Sequence, residues 1–331
     1  MITFFSTVPG AIVLLILGFA FLIKGADYFV EGASAVAKKL HVPALIIGMT
    51  IVAMGTSLPE CSVSITASLA NANQLAIGNA VGSNIFNLMV VLGTCALFSK
   101  LAVSEDTIKK DLPFSIFCAV VLMVMGIIGS SVGHIDGIIL LIIFVLFLIS
   151  MIRTALKARA TGADTGDMEI MEDSDIEDLS TIKCIIYIVG GAIAIKFGGD
   201  WVVNSSTTLA LAVGMSEALV GLTICALGTS LPELVTSIAA ARKNELDMAI
   251  GNVVGSNIFN ILFVLGIASA ISPISFITIN TIDIVILCVF SIIMWLMVIK
   301  KKELNKVDGI IMLLLYIGYL AYIIIRDGGI S

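Results

Sequence analysis

Charge is what this 331-residue chain has least of. Only 13 % of its residues are Asp, Glu, Lys or Arg, about half the share of an ordinary soluble domain. So few cannot cover a water-facing surface, which excludes a soluble globular protein. Histidine occurs twice, at His41 and His134, and neither belongs to an HExxH pair. Metalloprotease ligands are therefore missing, and a serine hydrolase would lack its positioned base. The six cysteines (Cys61, Cys95, Cys118, Cys184, Cys225, Cys288) show no CxxC spacing. They read as small hydrophobic packing residues, with no disulfide framework.

Apolar residues fill the space that charge leaves. They make up 59 % of the chain. Ten apolar runs, at roughly 9–39, 43–70, 75–98, 112–132, 136–156, 182–212, 217–241, 246–270, 281–299 and 307–326, each reach the ~20 residues a bilayer core requires. The first run has no basic segment before it and outlasts a signal peptide, so it is expected to be a membrane helix. With these spans, the odd-numbered connections hold Lys38, Lys39, Lys100, Lys109, Lys110, Arg153, Lys157, Arg159, Lys183, Arg242, Lys243, Lys300, Lys301, Lys302 and Lys306, and the even-numbered ones hold no Lys or Arg. The positive-inside rule then places both termini outside and the basic loops in the cytoplasm of a multi-pass cell-membrane protein.

The chain repeats itself. Residues 53–60 read AMGTSLPE and 226–233 read ALGTSLPE; 78–87 read GNAVGSNIFN and 251–260 read GNVVGSNIFN. Both pairs are offset by 173 residues, which also aligns Asp27 with Asp200 and Gly48 with Gly221. Residues 1–156 and 182–331 thus read as two copies of one unit. Five helices per copy means that the second enters the membrane inverted, the arrangement that puts a transporter's site at the midplane. Between the copies, 157–181 carries eight acids within 164–178. It reads as a solvated cytoplasmic linker, and it lacks the glycine and terminal glutamate of an EF-hand loop. The expected fold is an all-α polytopic membrane protein of ten helices in two inverted five-helix repeats.

The repeated motifs carry the chemistry. Pro59 has no N–H and clashes with the carbonyl four residues back, so the second helix is expected to open near 53–56, and Pro232 should open the seventh near Gly228. Freed backbone oxygens are tolerated in a membrane only where they line a cavity or are buried in protein. Thr56 and Glu60 share a face, as do Thr229 and Glu233, Ser83 and Asn87, and Ser256 and Asn260. The small-xxx-small pairs Gly78/Gly82 and Gly251/Gly255 should let helices approach closely. A glutamate at mid-membrane costs about 3 kcal/mol, so Glu60 and Glu233 read as functional. The serines and asparagines could instead be interhelical clamps, and only their recurrence argues otherwise. Lys24 with Asp27, and Lys196 with Asp200, read as ion pairs within their helices rather than as an ion path. Two carboxylates among hydroxyls, amides and freed carbonyls form an all-oxygen shell for a hard cation such as calcium, not for zinc or copper.

At these residues the sequence resembles the calcium/cation antiporter superfamily, particularly the prokaryotic sodium/calcium exchangers, over its whole length. The resemblance implies a central calcium site at Glu60 and Glu233 with backbone oxygens of Thr56 and Thr229. It implies one sodium site from Ala53, Ser57 and Ser83 and a counterpart from Ala226, Ser230 and Ser256. It also implies exchange of several sodium ions, typically three, for one calcium by alternating access, with the first and sixth helices sliding against the rest. Some relatives carry Asp where this chain has Asn260; amides at both Asn87 and Asn260 disfavour potassium co-transport. Proton coupling is the second reading, since proton-coupled relatives typically carry GN…E in place of GNAVGS; a passive channel is a further alternative. The expected partners are calcium and sodium ions and the bilayer, with no cofactor, nucleic acid or obligatory protein partner.

Overall fold

The computed structural model describes residues 7–161, 179–214 and 226–326. The helices are α1 (Val8–Leu40), α2 (Ala44–Thr56), α3 (Leu58–Leu69), α4 (Asn73–Phe98), α5 (Thr107–Gly129), α6 (His134–Thr161), α7 (Thr181–Ala212), α8 (Ala226–Gly228), α9 (Leu231–Arg242), α10 (Leu246–Ile271), α11 (Thr278–Lys301) and α12 (Lys306–Arg326). Among the described residues eight helices are long and apolar enough to cross a membrane, or nine when the bent pair α2–α3 counts as one span. This is a helical, multi-pass membrane protein. The acidic stretch 164–178, Cys225 and Gly221 lie outside the described residues, as does the first part of the run expected at 217–241.

Local chemistry sets the helix ends. Thr7 caps α1, its hydroxyl accepting from Gly10 N at 3.3 Å, with Pro9 in the first turn. The helix stops at His41, which turns left-handed at φ 53° behind Lys38 and Lys39. Two boundaries lie five residues from the sequence expectation. The fifth run is expected to end at 156, but α6 continues to Thr161, and the fourth is expected to begin at 112, but α5 begins at Thr107 with a π-helical turn through Asp111. Ser104 caps that turn by accepting from Thr107 N at 3.1 Å. The turn is polar, carrying Lys109 and Lys110, and hydropathy alone trims it away.

The connections touch in two groups. Strand β1 (Leu101–Ala102) pairs antiparallel with β4 (Glu303–Leu304), joining the third connection to the ninth. Strand β2 (Ser131–Val132) pairs with β3 (Ile274–Ser275), joining the fourth to the eighth. Asn73 and Gln74 of the second connection also bond to Ser272, Pro273 and Ser275. In each of these contacts odd meets odd and even meets even.

The two longest helices, α1 of 33 residues and α7 of 32, each extend about 48–50 Å at 1.5 Å per residue. They run antiparallel in close contact. A Cβ on Gly18 would lie 3.0 Å from Gly198 O, and one on Gly25 3.0 Å from Gly191 O. Glycine is the residue that lets these backbones meet. Their outer faces expose Ile12, Ile16, Ile182 and Ile186, as lipid-facing surfaces do. The centre of the molecule is held by α4 and α10, whose spans are 72 % and 78 % buried against 22–39 % for the others. The GN[AV]VGSNIFN motifs lie on these two helices, so their polar side chains are enclosed by protein.

Candidate ion site

The first broken span is interrupted one residue later than the proline argument expects. Helix α2 stays closed through Thr56, with Ser57 N donating to Ala53 O at 3.1 Å. The break falls at Ser57 (φ −85°, ψ 11°), and α3 leaves at 49° to α2. Pro59 then occupies the first turn of α3, where its missing N–H costs nothing. The second copy does the same: α8 ends at Gly228, Thr229 and Ser230 form the turn, and α9 starts at Leu231 with Pro232 next. Each break therefore puts its glutamate, Glu60 or Glu233, in the first turn of a new helix, where a carboxylate suits the helix dipole.

These breaks bring the two motifs together. Ser57 Oγ donates to Glu233 Oε1 at 2.7 Å, and Ser230 Oγ donates to Glu60 Oε1 at 3.2 Å. The serine of each motif thus serves the glutamate of the other. Ser83 on α4 adds a bond to Glu60 Oε1 at 3.4 Å, while Ser256 on α10 turns to Ala53 O at 3.5 Å. Ala53, Thr56, Ser57, Glu60, Ser83, Asn87, Ser230, Glu233, Ser256 and Asn260 are all at most 1 % exposed. Thr229 is half-buried, and the side chain of Ala226 lies outside the description.

Four asparagines that the sequence reading passed over complete the frame. Thr56 Oγ1 donates to Asn252 Oδ1 at 3.1 Å and Thr229 Oγ1 to Asn79 Oδ1 at 3.3 Å. Asn79 Nδ2 reaches Ser64 and Glu60 O, and Asn252 Nδ2 reaches Ser237 and Glu233 O. Asn84 and Asn257 bind Asn260 and Asn87 across the α4–α10 contact. The signal was available: Asn79 stands four residues before Ser83, hence on its face, and all four asparagines lie in the repeated motif.

What remains is a set of acceptors without donors. Glu60 Oε2, Glu233 Oε2, Asn87 Oδ1 and Asn260 Oδ1 are buried and have no hydrogen-bond partner among the described residues. An orphaned buried acceptor costs about 1–3 kcal/mol, more when charged, so four of them around one motif crossing call for a positive partner. Among the described residues no group of three or more His, Cys, Asp or Glu gathers. A cation held here would meet two carboxylates and neutral oxygens, a shell for a hard ion.

Among the described residues a cavity of about 780 Å³ adjoins one side of this site, between α3, α4, α7 and the α8–α9 turn, from Gln74 to Asn79 and Thr229. The equivalent residues Asn252 and Thr56 are sealed. The close contact expected of the small-xxx-small pairs is seen for Gly251 and Gly255; for Gly78 and Gly82 the equivalent partners, 218 and 222 by the same offset, lie outside the described residues. A Cβ on Gly255 would lie 2.6 Å from Met49, and one on Gly251 2.6 Å from Leu45 O. Gly78 and Gly82 instead line the cavity, with no described atom within 4 Å. Lys196 and Asp200 are paired at 2.7 Å, as Lys24 and Asp27 are at 3.8 Å. Both ion pairs expected within the helices are thus present, and Lys196 and Asp200 also line the cavity.

Known proteins share this architecture. A family profile described as "Sodium/calcium exchanger protein" matches residues 10–153 and 183–325. The inner membrane protein YrbG of Escherichia coli is 38 % identical over 257 residues, covering 78 % of each chain. The sodium/calcium exchanger MaX1 of Methanosarcina acetivorans is 33 % identical over 283 residues, 77 % of this chain and 81 % of that one. A solved structure of the sodium-calcium exchanger NCX_Mj, soaked with sodium and strontium, superposes with a TM-score of 0.81 at 31 % identity, covering 95 % of this chain and 99 % of the other. With its profile matched along both long stretches and its fold shared end to end, the chain belongs to the sodium/calcium exchanger protein family.

Proposed function

We propose that this protein is a secondary antiporter exchanging sodium for calcium across the cell membrane by alternating access. The observation that carries the reading is the crossed pair of bonds Ser57–Glu233 and Ser230–Glu60 beside four buried oxygens that have no partner among the described residues. Glu60 and Glu233 are the central calcium ligands, assisted by backbone oxygens of Thr56 and Thr229. Ala53, Ser57 and Ser83 on one side, and Ala226, Ser230 and Ser256 on the other, hold sodium, while Asn87 and Asn260 offer neutral oxygens between them. Two carboxylates neutralise one calcium, and sodium ions compete for the same oxygens. Calcium and a full set of sodium ions therefore never share the site. The reaction is transport, and no covalent bond is made.

The cavity beside Asn79 and Thr229 supports a route to the site from one side, as one of two alternating access states requires. Our reading of the topology is ten spans in two inverted five-helix repeats, 1–156 and 182–331, joined by an acidic cytoplasmic linker at 157–181. Both termini lie outside the cytoplasm. The test is uptake of radioactive calcium by proteoliposomes with and without an outward sodium gradient. Uptake should require the gradient and vanish in Glu60→Gln and Glu233→Gln proteins that still insert. Gradient-independent calcium flux would identify a channel, and uptake driven by a proton gradient alone would identify a proton-coupled carrier.

A further inference from the structure

The orientation of the buried amides follows from a rule of donors and acceptors. A backbone carbonyl only accepts. Asn84 sits 3.1 Å from Asn257 O and Asn257 sits 3.1 Å from Asn84 O, so each must turn its Nδ2 toward the opposite main chain. Each then presents its Oδ1 on the other side, and an oxygen there accepts only a donor. The group facing Asn84 Oδ1 at 3.1 Å must be the Nδ2 of Asn260, and the group facing Asn257 Oδ1 at 3.2 Å must be the Nδ2 of Asn87. Both nitrogens are thereby committed. Of this set, Oδ1 of Asn87 and Oδ1 of Asn260 are left over, buried and without a partner among the described residues.

We propose that Asn84 and Asn257 are positioning residues that lock the amides of Asn260 and Asn87 with oxygen, never nitrogen, turned toward the transported cation. The inference rests on Asn87 and Asn260 facing the ion, as read above. The four side chains form a closed set across the α4–α10 contact, each 0–1 % exposed and related by the 173-residue offset. Two main-chain carbonyls anchor it. Turning either outer amide over would set oxygen against oxygen within the set and aim an N–H₂ group at the positive ion. The lock makes a freely rotating amide into an acceptor of fixed sign, as strict as a carbonyl but without a carboxylate's charge. A π-helical turn starts at Asn87 in α4 and at Asn260 in α10, the kind of helix irregularity that often accompanies functional positions.

The experiment is a double-mutant cycle read by sodium-driven calcium uptake, with half-saturation and maximal rate separated. Removing the locking bond by Asn84→Ala should raise half-saturation for calcium and sodium several-fold, up to about tenfold, the worth of one buried hydrogen bond, with little change in maximal rate. In an Asn260→Asp background the same Asn84→Ala change should cost nothing, because a carboxylate has oxygen at both ends and cannot face the wrong way. The mirrored cycle, Asn257→Ala with Asn87→Asp, is an independent repeat if one variant fails to insert. Equal shifts in both backgrounds, or none in either, would overturn the positioning role. If Asn260→Ala and Asn87→Ala leave half-saturation unchanged, the amides do not face the ion, and the ligand reading falls with the proposal. A clear effect of Asn260→Ala together with a background-independent effect of Asn84→Ala removes the positioning role alone.

Discussion

Replacing Ser57 with alanine deletes the 2.7 Å bond that its hydroxyl donates to Glu233 Oε1. The acceptor is a fully buried carboxylate whose other oxygen already lacks a partner among the described residues. A hydrogen bond to a charged group is worth about 1.5–3 kcal/mol, roughly 10- to 150-fold in an equilibrium constant. The loss does not fall equally on all states. Bound calcium satisfies the carboxylate itself, so the ion-free protein suffers most. Sodium, which in this reading uses the Ser57 hydroxyl directly, loses a ligand. The expected result is a lower melting midpoint for ion-free protein in detergent, recovered by calcium. The sodium needed to drive uptake should rise about tenfold or more, while half-saturation for calcium stays constant or falls. Ser230→Ala should be milder, because its bond to Glu60 Oε1 is longer at 3.2 Å and Ser83 donates to the same oxygen. Equal losses of calcium and sodium affinity in Ser57→Ala, or a larger defect in Ser230→Ala, would refute the reasoning.

Three further outcomes can be measured. Gly255→Ala forces a Cβ to 2.6 Å from Met49 Cα and O, an overpacking that should cost about 1–3 kcal/mol or more; Gly190→Ala, with no described atom within 4 Å, is the control and should melt no lower than wild type. At Glu245, just before α10, burial and then Asp247 push the carboxyl up to about 7 against the pull of the Ser34 hydroxyl and Lys243. A carboxyl raised on folding destabilises as pH climbs from its unfolded value through 7, so Glu245→Gln should raise the melting midpoint at pH 8 and leave it unchanged at pH 4; a gain of equal size at both pH values contradicts this. Lys196→Gln leaves Asp200 uncompensated in the cavity, which should lower half-saturation for calcium from that side only, at low ionic strength and not at high. An effect from both sides, or one indifferent to salt, would place the pair away from the ion path.

Hydropathy and charge sufficed to locate most of the helices. The run expected at 182–212 is α7 at Thr181–Ala212, and the run expected at 307–326 is α12 at Lys306–Arg326. A bilayer demands about 20 apolar residues per crossing, and that demand is written in composition, residue by residue. The start of α5 was missed because its first turn is polar and capped by Ser104, a local hydrogen-bond effect that hydropathy does not register. The repeated motifs likewise announced the chemistry, since two glutamates, two prolines and their flanking hydroxyls at a constant offset of 173 residues have few uses in an apolar chain.

Contacts between the motifs were another matter. That Ser57 serves Glu233 while Ser230 serves Glu60 depends on how two segments 173 residues apart cross, and no spacing within either segment encodes it. Nor could the motif distinguish Asn79 and Asn84, whose oxygens accept from protein, from Asn87, whose oxygen is left over among the described residues, because the type of residue is the same and only the neighbours that the fold supplies differ. The sequence by itself determined that oxygen-rich, acid-bearing breaks would lie in the membrane, because the cost of burying such groups is a property of the residues. The tertiary structure decided which oxygens are spent on one another and which are spare, because a hydrogen bond needs two partners and the fold alone brings the second one near.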